Sequence, residues 1–242
     1  HVQKIENCTF KECSSLQIVE FDENSELKII GKNAFEKTSI RSISIPSSVI
    51  AIAESAFSNC VNLINFELKN DTQLNRIADN VFDKTRLTSL SIPSDIRYLS
   101  FGCFINTVFL TKINVIPRNN TEYIKFVDDK YLLGKTDLKS DTFDSLLFVR
   151  RNITEFKIPS YITDVVSYSF NQCRVLRTIE FNSDSNLKKI YANAFLCSSV
   201  AGIKFPNTDF KFADGWFYGA FNLRLVCCYE KKTPRYFFNG NF

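Results

Sequence analysis

The run Ile45-Pro46-Ser47-Ser48-Val49-Ile50-Ala51-Ile52-Ala53-Glu54-Ser55-Ala56-Phe57-Ser58-Asn59-Cys60-Val61-Asn62-Leu63 decides the fold, because its parts recur along the chain. Ile52 stands five positions ahead of Phe57. The same spacing links Ile5/Phe10, Ile30/Phe35, Ile77/Phe82, Leu99/Phe104, Val165/Phe170, Ile190/Phe195 and Phe212/Phe217. Successive phenylalanines of this series lie 25, 22, 25, 22, 66, 25 and 22 residues apart, and the long gap is three times 22. A repeat of about 20–29 residues is the signature of a solenoid of stacked, strand-bearing turns.

A second beat follows each phenylalanine by five or six residues, at Leu16, Ile40, Leu63, Leu87, Leu110, Leu176, Val200 and Leu223. From there the chain alternates, as in Leu87-Thr88-Ser89-Leu90-Ser91-Ile92, which predicts a half-buried strand. Pro46, Pro93, Pro117, Pro159 and Pro206 follow these strands, where a residue without an N–H ends the pairing. The small residues before each phenylalanine predict a short turn or 3-10 element on the opposite side. Repeats with proline turn tersely. The others carry three more residues, as in Phe21-Asp22-Glu23-Asn24-Ser25-Glu26-Leu27, and a longer surface loop adds little closure entropy. A single repeat buries a handful of apolar side chains worth about 1.5–3 kcal/mol each. Ordering its backbone costs about 1–2 kcal/mol per residue. Repeats must therefore stack, and the 24 phenylalanines read as core ladder.

The 45–63 run and its two alternating loop types resemble the repeat of BspA-type leucine-rich-repeat proteins, most of all the variety found on protist surfaces. The resemblance covers nearly the whole chain. It implies a curved, right-handed α/β-type repeat solenoid with a parallel sheet on one face, commonly at the cell surface and engaged in adhesion. We expect one solenoid over residues 1–242, with an irregular insertion at about 118–152. There, Tyr123 to Leu133 and Ser145 to Val149 are apolar runs flanking a polar stretch and predict a hairpin. Residues 226–242 lose the beat, so Tyr236-Phe237-Phe238 is expected to cap the last turn or mark a truncated end. The opening His1 and the absence of methionine predict a processed or excised fragment of a longer protein.

Composition narrows the function. A net charge of +4, with lysine and arginine dispersed among acids, gives no nucleic-acid footprint. No stretch is long and apolar enough for a spanning helix, so no membrane insertion is expected of this fragment. His1 is the only histidine, phosphate-cradling glycine motifs are missing, and no metal-ligand spacing occurs. The expectation is no enzyme, no cofactor, no metal and no catalytic residue. Cys13, Cys60 and Cys173 share the third place after a repeat phenylalanine, where other repeats have Thr38, Thr85, Thr107, Ser198 and Ala220. Cys13 and Cys60 are two layers apart, about 10 Å at the spacing of sheet strands, too far for a bridge. Mostly free thiols are expected, with Cys173 and Cys197 in adjacent repeats the pair to check. Sequons stand at Asn7, Asn70, Asn119 and Asn152 as candidate N-glycosylation sites.

Strand alternation names the outward positions of the sheet: Glu20, Ser42, Ser44, Asn65, Glu67, Ser89, Ser91, Lys112, Asn114, Glu155, Lys157, Thr178, Glu180 and Lys204. Of these, Glu20, Ser44, Asn65, Glu67, Ser91, Lys112, Asn114, Glu155, Lys157, Glu180 and Lys204 are the candidate partner-binding residues. The stripe is polar and carries no aromatic for sugar stacking. The reading is a non-catalytic cell-surface recognition or adhesion module for a protein or glycan ligand on another cell or matrix. Two alternatives stand beside it: an intracellular protein-interaction scaffold in the cytoplasm, and a structural spacer of a larger surface protein. The irregular insertion is a second place where a ligand could bind.

Overall fold

In the computed structural model, residues 2–206 and 209–228 are described. The chain divides into two compact units, His1–Phe143 and Asp144–Phe242. Each is a stack of the predicted turn.

In the first unit the isoleucine that precedes each phenylalanine sits in a two-residue strand. These strands are β1 (Lys4–Ile5), β2 (Ile29–Ile30), β4 (Ala51–Ile52), β6 (Arg76–Ile77) and β8 (Tyr98–Leu99). They form one parallel sheet in that order, with Ile5, Ile30, Ile52, Ile77 and Leu99 in register. The predicted longer strands are β3 (Ser42–Ile45), β5 (Asn65–Leu68), β7 (Ser89–Pro93) and β9 (Lys112–Ile116), paired in parallel as β3–β5 and β7–β9. Ile43, Phe66, Leu90 and Ile113 from these strands point into the core.

The solenoid expectation holds, but its α/β description narrows to all-β. The side opposite the long strands is itself a parallel sheet, and the only helical piece among the described residues is a 3-10 turn at Phe101–Phe104. The physical reason lies two residues on either side of every repeat phenylalanine but Phe104, which ends the 3-10 turn. Cys8/Glu12, Asn33/Lys37, Ser55/Asn59, Asn80/Lys84, Tyr168/Gln172, Asn193/Cys197 and Gly215/Gly219 all adopt left-handed backbone, with φ from 54° to 73°. A left-handed residue every fourth position cannot propagate an α-helix. It lets the turn amides pair with the next layer instead, as Asn33 N does with Glu54 O and Phe35 N with Ala56 O.

The phenylalanines stack as a ladder. Phe10, Phe35, Phe57 and Phe82 follow one another at centroid distances of 5.2, 5.3 and 6.5 Å with nearly parallel planes. The small slot three residues later caps the phenylalanine carbonyl. Thr38, Thr85 and Thr107 hydroxyls donate to the carbonyls of Phe35, Phe82 and Phe104, and the Cys60 thiol donates to Phe35 O from the next layer. That explains why threonine and cysteine share the slot: each buries a small donor beside a carbonyl that has room for a second bond after the backbone amide three residues on.

The insertion contains the expected hairpin, made tighter than predicted. Strand β10 (Ile124–Val127) pairs antiparallel with β11 (Tyr131–Gly134), both inside the first apolar run. The reversal uses Asp128 and Asp129 at φ 52° and 54°, the left-handed pair that tight hairpin turns require.

The second unit repeats the plan. Strands β12 (Ser145–Val149), β14 (Asp164–Val165), β16 (Lys189–Ile190) and β18 (Lys211–Phe212) form its short-strand ladder. Strands β13 (Glu155–Ile158), β15 (Thr178–Phe181), β17 (Gly202–Phe205) and β19 (Leu225–Cys228) form a continuous parallel sheet. Residues 226–228 are thus strand, while Tyr236-Phe237-Phe238 lies outside the described residues. Phe170 stacks on Phe195 at 4.9 Å. Below Phe195 the ring contact passes to Trp216 at 5.6 Å, and Phe217 is left 38% exposed, so the last rung shifts by one residue from the predicted beat. Arg151 is buried. It lies over the Phe148 ring and donates to the carbonyls of Val149 and Ser169, with the Cys173 sulfur at 3.9 Å.

Candidate recognition surface

Period-2 alternation pushes every second residue of the long strands out of the core, and parallel pairing then lines those residues up across layers. In the first unit Ser42 faces Asn65 and Ser44 faces Glu67, while Ser89 faces Lys112 and Ser91 faces Asn114. Asn65 is the hub of the first pair of rows. Its amide donates to the Glu67 carboxylate at 2.7 Å and to the Ser42 hydroxyl at 3.3 Å. All these residues are exposed except Ser91, which is half-buried. Glu20 is exposed but stands outside any strand, so it joins no register row.

In the second unit one row runs Glu155, Thr178, Gly202, Leu225 and the next runs Lys157, Glu180, Lys204, Cys227. The latter row alternates in charge, and Lys204 pairs with Glu180 at 3.3 Å. Both partners are about two-fifths exposed, so this pair fixes side-chain orientation more than it stabilises the fold. The predicted site residues therefore fall into three in-register sets, two in the first unit and one in the second, with Glu20 apart.

A third row escaped the reading of the sequence. Just ahead of the strands of the second unit, Thr154, Arg177, Ala201 and Arg224 follow one another through backbone bonds. Arg177 N donates to Thr154 O, Ala201 N to Arg177 O and Arg224 N to Ala201 O, at 2.7–2.9 Å. With Arg174 they border an open cleft of about 640 Å³. The signal was available: 177 and 224 differ by 47, which is one long plus one short repeat.

The hairpin gathers a different set. Arg118 pairs with Asp95 at 2.6 Å, and the Asn119 amide donates to the other Asp95 oxygen at 2.9 Å. Lys125 and Lys135 both sit over the Phe143 ring, at 4.4 and 4.9 Å. The charged groups of this region are thus engaged locally.

The four sequon asparagines Asn7, Asn70, Asn119 and Asn152 are all exposed. The described cysteines Cys8, Cys13, Cys60, Cys103, Cys173, Cys197 and Cys227 are free, so Cys173 and Cys197 form no bridge. Burial pushes the Cys60 and Cys173 thiols above their ordinary range, only partly offset by Thr38 at Cys60 and by Arg151 at Cys173. Among the described residues no three histidine, cysteine, aspartate or glutamate side chains gather as a metal site, and no helix is long and apolar enough to cross a membrane.

The family model described as BspA type leucine rich repeat region matches residues 1–125 and 141–240, in six copies. Comparison with the curated proteins yields no match. Among solved structures, the chain is similar to the pneumococcal vaccine antigen PcpA, with a TM-score of 0.72 and 21% identity over 94% of this chain; it spans 60% of that structure's length. It is also similar to a leucine rich cell surface protein of Faecalibacterium prausnitzii, with a TM-score of 0.61, 18% identity, and 96% and 78% of the two chains covered. A leucine-rich repeat protein of Bacteroides ovatus follows, with a TM-score of 0.50, 19% identity, and 93% and 64% covered. At these identities the likeness establishes the fold alone.

Proposed function

Because this chain belongs to the BspA-type leucine-rich-repeat family, we propose that it is a non-catalytic recognition module displayed at a cell surface, holding a protein partner through the outward face of its long strands. The observation that carries this reading is the register. Glu155, Lys157, Thr178, Glu180 and Lys204 stand in rows on a continuous parallel sheet, whose backbone groups are already satisfied and whose side chains face away from the core. The rows hold no aromatic side chain, which favours a protein over a glycan ligand. PcpA is a vaccine antigen and the Faecalibacterium protein a cell surface protein. Both agree with surface display here.

Antibody labelling of intact source cells tests the location: signal that vanishes after external protease supports display, and signal only after permeabilisation refutes it. Charge reversal at Glu155, Lys157, Glu180 and Lys204 tests the face. These exposed and half-exposed side chains leave the core untouched, so the variant should fold normally and lose the partner. A second reading, an intracellular scaffold, draws on one observation, the free thiols of the described cysteines. Sequon occupancy on protein from the native source separates the two: glycans at Asn7, Asn70, Asn119 or Asn152 fit only the secreted reading.

A further inference from the structure

The cleft ahead of the strands in the second unit is electrostatically one-sided. Its charged lining is Arg174, Arg177 and Arg224, with Thr154, Ser199 and Asn222 as neutral hydrogen-bonding groups, and no acidic side chain lines it. Arg174 donates through Nε to the Gln172 side-chain oxygen, a contact that leaves its charge unpaired. The Arg177 and Arg224 guanidinium groups make no ion pair or side-chain hydrogen bond among the described residues. Glu155, in the adjoining row, makes no ion pair either.

Geometry keeps the arginines apart. Arg177 and Arg224 occupy the same position two layers away from each other, about 10 Å along the stack at the spacing of parallel strands. The intervening layer sets only the small Ala201 at the same position, beside Ser199. The exposed apolar lining of the cleft is Val175, 48% exposed; Leu225, in the adjoining row and in register with Gly202, is 54% exposed.

We infer that this cleft binds an acidic segment of a protein partner, one that sets carboxylates between Arg177 and Arg224 and apolar side chains against Val175 and Leu225. Guanidinium forks match carboxylates in two-point contact, and arginine is among the residue types that carry most of the energy at protein-binding surfaces. A sulfated glycan would share the anionic chemistry, yet it would leave Val175 and Leu225 uncovered and finds no aromatic in the cleft. The inference rests on the reading of this chain as a recognition module, but its test needs no cell surface.

The probe is a fluorescein-labelled peptide of alternating glutamate and leucine, titrated against the whole chain by anisotropy, beside a lysine/leucine peptide and a heparin oligosaccharide. Saturable binding of the glutamate peptide is expected, weakened by added salt because the contacts are exposed. Arg177→Ala and Arg224→Ala should each weaken it about tenfold. Ala201→Leu narrows the space between the two arginines with no change of charge and should weaken it as much, which separates cleft binding from diffuse attraction to a basic protein. Circular dichroism confirms that each variant is folded, and these positions lie outside the core. Binding of heparin and not of the glutamate peptide, binding of neither, or glutamate-peptide binding indifferent to Ala201→Leu would each overturn the inference. Surface labelling that stays intact alongside such a result would leave the recognition reading standing and remove only the cleft.

Discussion

Removing one rung of the ring ladder should cost far more in the middle of the first unit than at its first turn. Phe57 is wholly buried, stacked between Phe35 at 5.3 Å and Phe82 at 6.5 Å, with the Phe66 ring edge-on at 5.5 Å. Truncation of a buried phenylalanine to alanine costs about 3–5 kcal/mol through lost transfer energy and the residual cavity. Ring pairs add about 0.5–1.5 kcal/mol each beyond area. Because the layer is held by strand pairing on both sides, the cavity cannot collapse, which places Phe57→Ala at the upper end, about 5 kcal/mol. Phe10 is 36% exposed with a single stacked partner, Phe35 at 5.2 Å, so Phe10→Ala should cost about 2 kcal/mol.

The assay is urea denaturation of each variant followed by circular dichroism. A solenoid is coupled layer to layer, so weakening a central layer should also broaden or split the Phe57→Ala transition, whereas Phe10→Ala should shift a single transition. Phe57→Leu serves as the control that keeps volume while losing the ring, at about 1.5 kcal/mol. Equal costs for Phe57→Ala and Phe10→Ala would refute the ladder as the element that couples the layers.

Three further outcomes follow from the turn geometry and the thiols. Lys84 holds φ 58° on the surface with no side-chain partner among the described residues, so Lys84→Gly should raise stability by about 0.5–1 kcal/mol in thermal melts while Lys84→Ala should not. Thr85→Val keeps the shape but removes the hydroxyl that donates to Phe82 O at 2.8 Å; that carbonyl keeps the Thr85 amide as a donor at 3.1 Å, so a loss of about 0.5–1.5 kcal/mol in chemical denaturation is expected. Cys8, Cys13 and Cys197 should react with a thiol reagent in the native state, while Cys60, Cys103 and Cys173 should react only on unfolding. The same burial makes a pH prediction. The Cys60 and Cys173 thiols are raised above their unfolded value. Above pH of about 8.5 the unfolded chain therefore gives up these protons before the folded one does. Their contribution is intact below that pH and is lost as pH climbs toward the folded values, so stability should fall with alkali and fall less in Cys60→Ser.

The period was legible because it is written in large side chains with no other use: phenylalanines at 22 and 25 residues have to meet in a stack. The long strands were legible for the same reason, through alternation over four positions. The second sheet was not, because a strand of two residues, such as Ala51–Ile52, shows no alternation to read. Its one clue was the asparagines at 33, 59, 80, 106 and 193, each left-handed in the structure and each a residue type that tolerates that conformation. The outward residues of the sheet were placed well wherever a strand exists, and Glu20 was misjudged because no strand forms there. The arginine cleft was missed because arginines were judged by their neighbours in sequence, where Arg177 and Arg224 look isolated. In a solenoid the neighbour that matters is one repeat away.

That displacement of neighbourhood is also the reason this architecture suits recognition. The core is specified by rungs such as Phe35, Phe57 and Phe82 and by caps such as Thr38 and Thr85, all buried, and none of them depends on what the outward positions hold. A substitution at Ser44 or Lys157 changes the charge of a row without moving a rung. The first unit accordingly carries mainly serine and asparagine, with Glu67 and Lys112, and the second carries lysine, glutamate and arginine rows, on the same backbone register. Two surfaces of different charge on one repeat plan is what a recognition array needs, and what a spacer selected only for length has no reason to keep. If the chain were such a spacer, the unpaired Arg177 and Arg224 would be a cost without return. Exchanging both for glutamine should then leave every binding property of the protein unchanged, whereas a recognition module should lose its acidic partner.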